Sequence, residues 1–133
     1  MSKLGCICGG TIFDQSDNLP NKGRVLRDQN CEEGLEKIAR DIASFLSAKL
    51  AHNQRNWLRD HFIDEEFSLN MTDTEIIHTL LSGLLFIKGL DIFQCQDCHR
   101  LQIEDRYKRN TFFSFRPESE AARNVLAVSA DEG

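Results

Sequence analysis

The sequence predicts an α+β fold, on three observations. Cysteine pairs stand near both ends of the chain, at Cys6/Cys8 and Cys95/Cys98. The segments around them read as short strands between turns. The residues between them carry the three- and four-residue apolar period of helices. At 133 residues the chain has one domain's worth of length. The expected layout is a β part built from residues 1–30 and 89–117, a helical insertion over 31–88, and a short helix or tail over 118–133.

Thr11-Ile12-Phe13 is β-prone, and Asp17 to Gly23 is dense in turn residues. Arg24–Arg27 is the candidate second strand. Leu35, Ile38, Ala39, Ile42, Phe45, Leu46 and Leu50 then place a helix over about 31–51, with Asp28 or Asn30 as its cap. A shorter helix is expected over 53–62. The third helix begins at the capping box Thr72-Asp73-Thr74-Glu75, with Met71 and Ile76 as a hydrophobic staple. Its stripe of Ile76, Ile77, Leu80, Leu81, Leu84 and Leu85 should face a core, and Lys88-Gly89 should end it. Leu90–Gln94, Leu101–Ile103 and Thr111–Phe115 read as extended. Residues 118–126 are expected to form a brief helix, and 129–133 a loose tail.

Composition narrows the function classes. Apolar residues make up 41% and charged residues 28%, a globular balance. The longest apolar stretch, Leu80 to Ile87, is interrupted by Ser82 and Gly83 and is too short for a membrane span. The N-terminal residues lack the apolar core of a signal peptide. The expectation is a cytoplasmic protein with no membrane partner. A net charge of −5 and a pI of about 5.3 rule out a generally basic, nucleic-acid-coating surface.

In a cytoplasmic chain, paired cysteines point to metal or redox chemistry more than to structural disulfides. Two pairs supply the four tetrahedral ligands of a structural zinc, so Cys6, Cys8, Cys95 and Cys98 are the expected Zn ligands. Gly9 and Gly10 suit a tight loop that aims amides at sulfur, and His99-Arg100 adds donors beside the second pair. The first pair is C-x-C, one residue shorter than the usual knuckle. The pairs are 86 residues apart, which a folded insertion with adjoining ends accommodates. A thioredoxin-like pair at Cys95/Cys98 fits poorly, because strand rather than helix follows it. His99 is an alternative ligand, and Cys31 reads as a half-buried free thiol.

Cys6-x-Cys8-Gly9, Asp17-x-Leu19-Pro20-x-Lys22-Gly23, Asp28-Gln29 and Phe93-x-Cys95-x-x-Cys98-x-Arg100-Leu101, with the aromatic strand Phe112–Phe115, resemble a group of small bacterial zinc-ribbon proteins. The resemblance implies a ribbon formed by both chain ends around a structural zinc. For small acidic proteins of this kind it also implies an immunity role, in which the protein binds and blocks a bacterial toxin.

No Walker loop, G-x-S-x-G or H-E-x-x-H occurs, and a non-enzymatic protein is expected. His61 with Asp64, Glu65 and Glu66 reads as solvated surface rather than an acid/base cluster. Trp57, Asp60, Asp64, Glu65 and Glu66 are the candidate partner-binding residues, an acidic face for a basic toxin domain with Trp57 as its anchor. Arg100, Arg106, Lys108, Arg109 and Arg116 around Tyr107 and three phenylalanines carry the alternative, a nucleic-acid-binding or regulatory ribbon. In the simpler reading of that run, the phenylalanines fill the small core under the metal.

Overall fold

The structure, a computed structural model, describes residues 3–62 and 65–129. It is α+β, with helices and two small antiparallel sheets. The chain divides into two compact units, Met1–Val25 with Leu90–Gly133, and Leu26–Gly89. Among the described residues, no helix is long and apolar enough to cross a membrane.

The first unit holds both sheets. β1 (Lys3–Gly5) pairs with β2 (Thr11–Phe13) in register Leu4↔Ile12. β3 (Lys22–Val25), β4 (Leu90–Gln94), β5 (Leu101–Glu104) and β6 (Phe112–Phe115) form the second sheet in that order. β3 starts two residues before the expected strand and ends at Val25, because its partner β4 runs only from Leu90, which stands opposite Val25. The helical segment therefore leaves and re-enters this unit from paired residues, so a long excursion disturbs nothing in the sheet. Cys6, Ile12, Phe93 and Cys95 form the core, edged by Leu4, Cys98 and Phe112. Phe93 and Phe112 meet edge-on at 5.7 Å.

The brief helix expected over 118–126 is only a 3₁₀ turn, Glu120–Ala122. Buried Gln94 takes the backbone groups a longer helix would have paired internally. Its Nε2 donates to the Ala122 carbonyl at 2.7 Å, and its Oε1 accepts from the Val125 N–H at 3.1 Å. Asn124, at φ 55°, completes the break. Residues 130–133 of the expected tail lie outside the described residues.

In the second unit α1 spans Asp28–Leu50, α2 Gln54–His61, α3 Glu65–Leu69 and α4 Asp73–Gly83. α1 starts one turn earlier than expected. Arg27 holds the cap position without a side-chain bond, so neither Asp28 nor Asn30 caps it, and Asp28 instead faces the positive end of the helix dipole. The short α3 was not anticipated. α4 opens on the expected capping box: the Glu75 N–H donates to Thr72 Oγ1 at 3.2 Å, and the Thr72 N–H to Glu75 Oε2 at 3.4 Å. The expected third helix does not run regularly to Lys88. A π-helical turn occupies Leu84–Lys88, and its extra residue per turn rotates the apolar stripe. Ile76 and Leu84 are buried, whereas Leu81 and Leu85 are exposed.

The core of this unit is Phe45, Trp57, Leu58 and Ile76, edged by Ala48, Phe62, Met71, Ile77 and Leu80. Met71 thus packs against the cluster that contains Ile76, its expected staple partner. Trp57 tilts against Phe45 at 5.0 Å, and its Nε1 donates to Ser44 Oγ at 2.8 Å. Phe45 is fully buried. Phe45→Ala is expected to cost about 3–5 kcal/mol through lost burial and the cavity left. Thr72→Ala should cost about 1 kcal/mol through the lost cap. Urea titration followed by the fluorescence of Trp57, the single tryptophan, checks both values.

Candidate metal centre

Each cysteine pair sits at the tip of a hairpin. The β1–β2 turn carries Cys6 and Cys8, and the β4–β5 turn carries Cys95 and Cys98. The two tips use the same bonds despite their different lengths. The N–H of the residue after the second cysteine donates to the carbonyl of the first: Gly9 to Cys6 at 2.9 Å, and His99 to Cys95 at 2.8 Å. The first cysteine's N–H donates to the carbonyl of the residue after that, Cys6 to Gly10 and Cys95 to Arg100, both at 2.9 Å. Closing such a turn requires the left-handed region after the second cysteine. Gly9 is there at φ 93°, which glycine adopts freely, and His99 at φ 65°, where its Cβ is strained.

The four sulfurs converge, all lying within 4.8 Å of one another. Cys6 and Cys98 are 3.5 Å apart, and Cys8 and Cys95 are 3.7 Å apart. Four sulfurs at about 2.3 Å from one tetrahedral zinc stand roughly 3.8 Å from each other, so the cluster fits a metal ion of that size.

Donors surround it. The Gly10 N–H approaches Cys8 Sγ at 3.4 Å, and buried Gln102 directs its Nε2 at Cys6 Sγ at 3.5 Å. Burial raises the Cys6 thiol. At Cys98 burial also raises the thiol, but the Arg100 backbone N–H and guanidinium outweigh it and bring the group down to about 6. The Gly10 amide lowers Cys8, yet the other three sulfurs push it up to about 12. Crowded thiols cannot all ionise without a cation, and a bound divalent ion removes that obstacle.

His99, the alternative ligand, is not part of the cluster. Cys31 is a half-buried free thiol in α1, away from both pairs in sequence. Gln102 was missed. Leu101-Gln102-Ile103 alternates as a half-buried strand should, but the inward residue is Gln102, and Leu101 and Ile103 lie on the opposite face. A polar residue between two aliphatic ones was the available signal.

Fold and site together fit a zinc-ribbon-like site: two knuckles on two hairpins bring four sulfurs close enough to hold one metal ion. The family model Domain of unknown function (DUF8617) matches residues 2–119, which include both knuckles, and the chain belongs to that family. No curated protein and no solved structure matches the chain.

The partner-binding candidates divide. Trp57 is 6% exposed and is a core residue, which removes it as an anchor. Asp60 and Glu66 are exposed, while Asp64 and the Glu65 side chain lie outside the described residues. His61 is exposed. Its ring stacks on Trp57 at 4.0 Å, and its Nδ1 donates to the Trp57 carbonyl at 2.8 Å. Of the three phenylalanines expected under the metal only Phe112 is there, and Phe113 and Phe115 are exposed.

Protein purified without chelator is expected to carry one equivalent of zinc by elemental analysis. Cys95→Ser should lose it together with the cooperative unfolding of the ribbon unit. Wild-type metal content and melting in that variant would contradict the assignment. Zinc binding at pH 7.5 should release protons from Cys6 and Cys8, which sit above the ordinary thiol value, and none from Cys98, already ionised above about 6. Affinity should therefore fall as pH falls, because protons compete for the same sulfurs. Calorimetry in buffers of different ionisation enthalpy measures the release.

Proposed function

We propose that the protein is a non-enzymatic binding protein with a structural zinc, and that it neutralises a bacterial toxin by direct contact, as an immunity protein. Four cysteine ligands leave a zinc no open position for substrate or water, which supports a structural role. His61, the strongest acid/base candidate in the sequence, has its Nδ1 committed to a backbone carbonyl, which also fits the non-enzymatic reading.

The observation that carries the partner class is charge. Residues 26–89 hold eleven acidic and seven basic side chains, a net −4 within a chain total of −5. Asp60, Glu66, Glu32, Glu33 and Glu36 all reach solvent. A surface of this sign steers a basic protein and speeds its approach. With Trp57 in the core, steering rather than an aromatic anchor supports the reading.

Affinity capture from the native cell should recover a stoichiometric basic protein whose toxic activity the chain abolishes. Asp60→Lys with Glu66→Lys should slow association about tenfold, with the difference shrinking as salt rises. Recovery of nucleic acid alone, with no stoichiometric protein, would defeat the reading.

A further inference from the structure

The second sheet has two unlike faces. Side chains alternate along its strands, so Phe93, Gln102, Phe112 and Ser114 point one way, into or beside the metal core. Leu101, Ile103, Phe113 and Phe115 point the other, with Phe115 opposite Leu101 and Phe113 opposite Ile103. The C-terminal segment covers part of this second face. It bonds Gln94, and Leu126 lies 3.4 Å from where a Gly23 Cβ would stand. Both contacts are on β3 and β4. On β6, Phe113 remains 56% and Phe115 52% exposed.

Cations stand at both ends of this aromatic strip. At one end the turn after β5 presents Arg106, Tyr107, Lys108 and Arg109, all exposed. That tip is ordered by its own bonds: the Asp105 carboxylate accepts from the Tyr107 N–H at 2.9 Å, and the Asp105 N–H donates to the Thr111 carbonyl at 2.7 Å. The Arg106 guanidinium lies 4.2 Å from the Tyr107 ring centre. At the other end Arg116 follows Phe115 and lines a cleft of about 380 Å³ with Arg100, Ser119 and Arg123. Glu118 and Glu120 share that cleft, and Glu120 pairs with Arg123 at 3.3 Å. Residues 100–116 carry five basic and two acidic side chains, a net +3 within an acidic chain. Glu104 belongs to the metal-core face.

Exposed flat rings two residues apart on a sheet, with cations before and after them, match one chemistry. Bases stack on rings whatever their sequence, and phosphates follow the cations. We propose that the β5–β6 face binds single-stranded nucleic acid, with Phe113 and Phe115 as stacking platforms and Arg106, Lys108, Arg109 and Arg116 contacting phosphates. This site is independent of the acidic docking reading and is carried by the other unit.

Fluorescence anisotropy of the full chain with labelled dT and U 15-mers, at low and moderate salt, tests it. Binding to either strand, weakening as salt rises, is expected, and comparing the two distinguishes DNA from RNA. Phe113→Ala and Phe115→Ala should each weaken binding about tenfold with unchanged melting, while Phe113→Trp retains it. Arg106→Gln with Arg109→Gln should reduce the salt slope by about 1.4, the share of two phosphate contacts on a single strand. Absence of binding to both strands at about 100 µM protein, the weak end of non-specific affinity, would overturn the proposal. So would unchanged affinity in both alanine variants. A dimer in sedimentation that Phe113→Ala dissociates would assign the face to a second copy of the chain instead.

Discussion

Four sulfurs brought from two distant parts of the chain into a space 4.8 Å across are the constraint from which the rest of the ribbon unit follows. Thiolates at that distance repel, and without a cation the negative charge collects where donors are densest. That place is Cys98, beside the Arg100 amide and guanidinium, while Cys8 is pushed up to about 12. A divalent ion turns mutual repulsion into shared attraction. Cross-linking a chain across roughly 90 residues restricts the unfolded state by about 4–5 kcal/mol in the loop-closure treatment of a covalent bridge. That is comparable with the whole stability of many domains. Among the described residues that core is four buried side chains edged by three others, so a bound metal would supply what burial does not.

The two knuckles reach the same geometry from different sequences. Cys6-Ile7-Cys8 is one residue shorter than Cys95-Gln96-Asp97-Cys98, yet both close with an amide-to-carbonyl bond from the residue after the second cysteine. The shorter loop has glycine at its left-handed residue. The longer one places a histidine there, at φ 65°. Such a conformation persists in a residue with a Cβ only where the surroundings over-determine it. Here the neighbouring bonds, Cys95 N–H to the Arg100 carbonyl and His99 N–H to the Cys95 carbonyl, provide that determination.

Much of this was legible in the sequence, for identifiable reasons. Cysteine spacing marked the four clustered residues because two close thiol pairs match the four ligands of one tetrahedral metal site. The Thr72 box was legible because both of its partners lie within one turn. What failed depended on tertiary competition. The start of α1 moved because strand pairing ends at Val25 and leaves Leu26 and Arg27 as the whole connection. The C-terminal helix yielded to Gln94, whose carboxamide takes a carbonyl and an amide that the helix needed. Trp57 beside acidic residues resembled a surface anchor, but its ring packs against Phe45 in the core while its Nε1 reaches Ser44 Oγ on α1. Local pattern could not reveal that bond, since the two residues sit on different helices.

Two buried glutamines show how the sheet divides its work. Gln102 and Gln94 belong to neighbouring strands but opposite faces. Gln102 turns to the sulfurs and shares its amide with Ser114 at 2.9 Å, so the sulfur-facing surface keeps a polar donor beside Phe93. Gln94 turns the other way and satisfies its amide on the carbonyls of Ala122 and His99. An unpaired carboxamide at either place would be costly, so each glutamine dictates what lies over it. Over Gln94 that is the C-terminal segment, held on β3 and β4. The same bonds that fix it there set where it stops, and on β6 beyond it Phe113 and Phe115 stay more than half exposed.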